Sequence, residues 1–187
     1  ADDRVYTNER ENSEIKTFYI PINHSKIENQ LPQEQVVRLL KTVFEDKNIK
    51  KTSFDAKMGY NILRNLGINS QGIIFDVVLA SYVKDTNRNH DLEIQAIENL
   101  EHAITPFAPF EKEKKKQVKF ADVNSDIANN FSAEEVAVIL ELTKFWVKNL
   151  DENELKLVYD IEVPLTLVLA DMEYDGVSID ENYLHEL

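Results

Sequence analysis

Two apolar stretches near the end of the chain constrain its fold most. "SAEEVAVILELTKFWVKNL" (Ser132–Leu150) and "VYDIEVPLTLVLADMEY" (Val158–Tyr174) both space their apolar residues as helices do. The first opens with a capping-box pattern, Ser132 to Glu135. In the second, Pro164 marks a first turn or a bend, Gly176 stops the pattern, and Asp180 is placed to cap another helix. So apolar a helix needs a partner. A new helix that begins just as the sequence closes is expected of a piece cut from a longer polypeptide.

Upstream the signals are mixed. "TFYIPINH" (Thr17–His24) alternates and is rich in aromatic and branched residues, which predicts a strand, with "DRVYTN" a shorter candidate before it. "LPQEQVVRLLKTVFEDKN" places Pro32 at a helix start and Val36, Leu39, Leu40, Val43 and Phe44 on one face. "NIKKTSF" reads as a short strand, and "DAKMGYNILRNLGI" as a helix capped by Asp55 and ended by Gly67. "GIIFDVVLASYVKD" is a further apolar segment with Asp76 as its cap. "HDLEIQAIENLEHAI" carries a helical stripe through Leu92, Ile94 or Gln95, Ile97 and Leu100. From Thr105 to about Val123 little periodicity remains. The class is α/β with a helical C-terminal half and no internal repeat.

Composition removes several functions. With no cysteine, thiolate metal sites and disulfides are excluded, which fits a reducing cytoplasm. No apolar run approaches the roughly 20 residues that span a bilayer, so no membrane partner is expected. The net charge of −13 opposes phosphate tracking unless cations cluster. One cluster exists, "EKEKKKQVK", in which Lys114, Lys115 and Lys116 are the candidates for DNA contact. The interspersed Glu111 and Glu113 equally fit a solvated loop.

Motif tests are mostly negative. Four glycines form neither a dinucleotide nor a nucleotide phosphate loop. His24, His90, His102 and His185 share no metal-ligand spacing and read as surface or capping residues. "DTNRNHDLEIQAIE" imitates a calcium loop through Asp85, Asn87 and Asn89, but His90 stands at the turn glycine and Ala96 at the bidentate glutamate. Residue chemistry alone describes an α/β domain without an evident catalytic constellation.

The order of segments nevertheless resembles the proofreading 3′–5′ exonuclease region of bacterial DNA polymerase I, the family A polymerases. "TFYIPINH", then "NILRNLGI", "GIIFDVVLASYVKD" and "HDLEIQA", follow that region's succession. "VYDIEVPLTLVLADMEYDGVSID" is similar to the passage from exonuclease to polymerase domain. The resemblance covers nearly the whole chain. It implies a ribonuclease H-like mixed sheet flanked by helices over residues 1–157. It also implies a linker helix opening a polymerase domain over 158–187, with Mg2+ needed by that polymerase part. The partners implied are the polymerase domain of the same chain and DNA through the parent protein, as a cytoplasmic monomer.

Active members of that family hold two metal ions with carboxylates from three motifs, because two cations need several converging carboxylates. The resemblance places the first motif, Asp-x-Glu, upstream of the first strand; nothing matches it, Asp2 and Asp3 included. The second motif's aspartate falls on Gly59, with Asp55 one helical turn earlier. The third falls on "FSAEE", with Phe131 in place of a tyrosine and Glu135 in place of an aspartate. A glycine has no ligand to offer. The resemblance therefore implies a vestigial, supporting domain with no catalytic residue and no cofactor of its own. The alternative is a living metal-dependent nuclease using Asp55, Glu135 and an upstream motif; whether this domain is itself an enzyme stays open.

Overall fold

A computed structural model describes residues 15–25, 29–106 and 119–186. Helix α1 (Gln33–Phe44) begins at Pro32, whose fixed φ suits a helix entry. Of its expected apolar face only Val36 is buried, while Leu39 and Val43 face outward. Strand β1 (Lys51–Ser53) leads into α2 (Ala56–Asn65), which starts where expected: the Asp55 carboxylate accepts from the Met58 N–H. Gly67, with φ of 77°, follows its end.

The segment after Gly67 divides where its sequence reads as continuous. Ile73–Asp76 forms strand β2, parallel to β1, and only then does α3 (Val77–Lys84) begin. Gly72 makes the pairing possible. Its φ is +72°, and a Cβ there would lie 2.6 Å from the Ile49 carbonyl oxygen, so no other residue fits. Next come α4 (Leu92–Leu100), a 3₁₀ turn at Phe120–Asp122, and α5 (Ser125–Asn149). Beyond it lie α6 (Glu152–Leu157), a π-helical turn (Val158–Glu162), α7 (Val163–Asp175) and α8 (Glu181–Glu186). Pro164 is the second residue of α7, directly after the π-helical turn, in which the Val163 N–H donates to the Val158 carbonyl.

Three expectations need correction. Thr17–His24 is not a strand: Pro21 interrupts donation, no described segment pairs with it, and Phe18 is 86% exposed. Among the described residues the sheet is therefore two parallel strands, not a larger mixed one. Ser132 and Glu135 do not cap a helix. α5 starts earlier, at Asn124, whose side chain accepts from the Asp126 N–H, and the acidic Asp126 suits that helix start. The capping box that does form is Asp151 with Glu154, at α6. The candidate strand at residues 3–8 lies outside the described residues.

The main core joins Phe75 and Val77 to Leu92 and Ala96 of α4, to Val138, Leu142 and Trp146 of α5, and to Val158 and Val163. A buried amide completes it. The Trp146 indole N–H donates to Gln95 Oε1 at 2.9 Å, and Gln95 Nε2 donates to the His90 carbonyl at 2.8 Å. A smaller cluster, Val123 and Ala128 with Tyr19, Phe120 and Phe131, lies beside the start of α5.

Candidate functional site

Gly59 stands in the second turn of α2, with its N–H donating to the Asp55 carbonyl. Among the described residues, and apart from the helix's own backbone, a Cβ added there would meet Ser53 Oγ at 3.9 Å, and the backbone is not left-handed. Neither packing nor backbone demands a glycine. It costs the helix about 1 kcal/mol relative to alanine. Asp55, one turn earlier, adopts φ of 56° and commits its carboxylate to the Met58 N–H.

Beside it lies a carboxylate with a stronger structural role. Asp76 is 2% exposed; its Oδ2 accepts from the Ala56 N–H at 2.5 Å, and its Oδ1 from Val78 and Leu79 at 2.8 and 3.1 Å. One side chain thus caps the starts of α2 and α3 together. Burial pushes its pKa up, the three N–H donors pull it down, and nearby Asp55 adds to the rise; the net shift is upward. The sequence marks Asp76 as a cap for α3, but its hold on α2 links residues twenty positions apart and leaves no local signal.

The other positions implied by the resemblance sit on α5. Phe131 packs its ring into the small cluster with Tyr19 and Phe120. Glu135 has its pKa raised, first by burial and then by the charge of Glu93 on α4. Among the described residues, no three His, Asp or Glu side chains are grouped as a metal ion would require. Of the positions implied by the resemblance, Gly59 and Phe131 offer no side-chain oxygen to a metal ion. Lys114, Lys115 and Lys116 lie outside the described residues.

The histidines divide. His24 is buried, not superficial: its Nε2 shares a hydrogen bond with the Tyr19 hydroxyl, and its ring meets Phe120 edge-on. His90 Nδ1 pairs with Ser81 Oγ at 2.9 Å. His102 pairs with Glu134 at 2.9 Å, and Glu134 also accepts from the Thr105 N–H. Burial acts to raise the Glu134 pKa, but these bonds outweigh it and the net shift is downward. His102, Glu134 and Glu141 line a cleft of about 390 Å³ whose floor is Leu100, Ala137 and Val138. Its two walls come from opposite ends of a long sequence separation, so no motif announces it. No helix among the described residues is long and apolar enough to cross a membrane.

Comparison with known proteins completes the picture. DNA polymerase I of Borreliella burgdorferi is 30% identical over 172 residues, which is 91% of this chain and 18% of that protein. The Pseudomonas aeruginosa enzyme of the same name is 32% identical over 178 residues, 91% of this chain and 20% of that one. The chain therefore spans about a fifth of the length of these relatives. Its fold matches a solved structure of the POL domain of Pol1 from M. smegmatis in complex with DNA primer-template and dNTP. That match has a TM-score of 0.65 and 20% identity, over 80% of this chain and 23% of the other. Residues 5–106 match the family described as DNA polymerase I, ribonuclease H-like domain, and to that family this chain belongs.

Proposed function

We propose that this chain is the exonuclease-like region of a DNA polymerase I whose nuclease centre has degenerated, leaving a supporting role within a polymerase for replication and repair. Gly59 carries the reading. Where the family resemblance calls for a metal-binding carboxylate there is a glycine that neither the backbone nor the packing requires. Losing one carboxylate of a two-ion set disables the centre, not merely its tuning. Phe131 supports the same view, since its ring serves a hydrophobic cluster. The net charge of −13 also disfavours retention of a DNA strand.

Support would pass through α7. Ile161 of the preceding π-helical turn and Leu165, Val168 and Met172 of α7 form an exposed apolar stripe opposite the buried Val163, Thr166 and Ala170. In this reading the polymerase part of the same polypeptide covers that stripe and holds the Mg2+ for nucleotidyl transfer. The family supports this, because the matched relatives are several times longer than the chain.

The test is a nuclease assay on 3′-labelled single-stranded DNA with manganese, the more permissive ion. No turnover is expected. Metal-dependent turnover abolished by Glu135→Ala would instead establish the alternative, a working nuclease that uses Asp55 and Glu135.

A further inference from the structure

The last turn of α7 is built against its own electrostatics. Asp171, Glu173 and Asp175 crowd the helix end, where the backbone dipole is negative, and no basic residue of α7 offsets them. The compensation comes from another helix. Lys57 Nζ of α2 meets Glu173 at 2.6 Å, and Asn61 Nδ2 donates to the other oxygen of Glu173 at 3.2 Å. Arg64 meets Asp171 at 2.5 Å and Asp175 at 4.0 Å, and its guanidinium lies 3.8 Å from the centroid of the Tyr174 ring. Exposed ion pairs taken singly are weak. Here they converge on one turn that its own charges disfavour.

Directly after that turn the regular structure stops. Gly176 takes φ of 70° and ψ of −173°, a region open in practice only to glycine. The next residues carry no regular structure, and Val177 and Ile179 are 90% and 68% exposed. Above the turn, Ala170 is fully buried. The break between fixed and unfixed helix therefore falls between Ala170 and Gly176.

We propose that Lys57 and Arg64 of α2 form an electrostatic clasp that keeps residues 171–175 helical, and that opening it moves the flexible joint from Gly176 back to Ala170. The clasp sets where the following segment leaves the domain. Ionic strength is its natural effector, since the pairs are exposed and salt screens them. α2 is also the helix that carries Gly59, so the clasp ties that position to the exit path.

The experiment is residue-resolved amide exchange on the full chain, comparing the natural sequence with Lys57→Met/Arg64→Met, which keeps the apolar stems. Exchange at 172–176 is expected to rise about tenfold or more, while the amides of Leu142 and Trp146 keep their rates. Raising salt to about 1 M should have the same effect on the natural sequence. Unchanged exchange at 172–176 overturns the proposal, and so does equal acceleration through α5, which would mean general destabilisation. A second variant isolates the cause. Adding Asp171→Asn, Glu173→Gln and Asp175→Asn to the double variant should restore protection, because the conflict with the dipole is then gone; continued fraying would refute the electrostatic origin.

Discussion

Helices α5 and α7 look alike in sequence and are used differently. Both are strongly apolar, but α5 begins at the Asn124 cap whereas α7 continues from a π-helical turn without a side-chain cap. α5 places Val138, Leu142, Thr143 and Trp146 in the core, and Trp146 meets the buried Gln95, whose side chain also donates to the His90 carbonyl. α7 buries Val163, Thr166 and Ala170 but turns a second apolar stripe outward, with Val168 54% and Met172 64% exposed. A helix apolar on one face is finished by one layer of neighbours. A helix apolar on two opposite faces needs two layers. Only one is present among the described residues. The contrast separates what this domain needs for its own fold from what it offers outward.

The sharpest way to break that contrast is at Trp146. It is 2% exposed, and its indole N–H satisfies the buried Gln95 carbonyl. Trp146→Ala should cost about 3–5 kcal/mol for the cavity. The orphaned Gln95 oxygen should add about 1–3 kcal/mol. Urea unfolding followed by circular dichroism measures this. A cost below about 1 kcal/mol would mean that α5 is no more essential to the core than the outer face of α7.

Legibility followed the range of each signal. Asp55, Gly67 and the start of α1 at Pro32 were readable because a cap, a left-handed glycine and a proline act on their own turn. Strand β2 was not, since Ile73–Phe75 merges into the apolar run of α3 and a short apolar run fits either state. Thr17–His24 shows the converse: strand-like alternation has no effect without a partner edge, and Tyr19 serves a side-chain cluster instead. At Ser132 two start signals competed, and the helix took the earlier one because Ala128 gains burial. For the site, Gly59, Phe131 and Glu135 became interesting only through a family resemblance. The cleft between His102 and Glu134 depends on a tertiary approach that no local pattern encodes.

A second, smaller effect compares two aspartates at the ends of α2's approach. Asp55 is a partly exposed cap, whereas Asp76 is buried with a raised pKa. A raised pKa means that the folded state holds the proton more tightly than the unfolded chain. Asp76 then adds relative stability at acid pH, and that contribution falls as pH climbs from the ordinary value of 3.8 through the raised one. Asp76→Asn does not titrate. The stability of the natural protein minus that of the variant should therefore decline across this window and level off above it. Thermal unfolding at a series of pH values reads the difference. A difference that rises with pH would show that the backbone N–H donors, not burial, dominate at this carboxylate.

The smallest effect belongs to the outer stripe of α7 and depends most on context. Val168→Gln changes an exposed side chain with no close packing to lose, so this chain alone should change in stability by no more than about 0.5 kcal/mol. If the stripe is covered by the polymerase part of a longer polypeptide, the same substitution there removes a buried methyl pair and inserts an amide without a partner. A loss of about 1–3 kcal/mol is then expected. Measuring both contexts by the same denaturant titration turns the comparison of helices into a comparison of one residue with itself. Equal small effects would leave the outward face of α7 without the covering layer assigned to it. A large effect already in the short chain would mean that the stripe is packed there, and that α7, like α5, completes its burial within this domain.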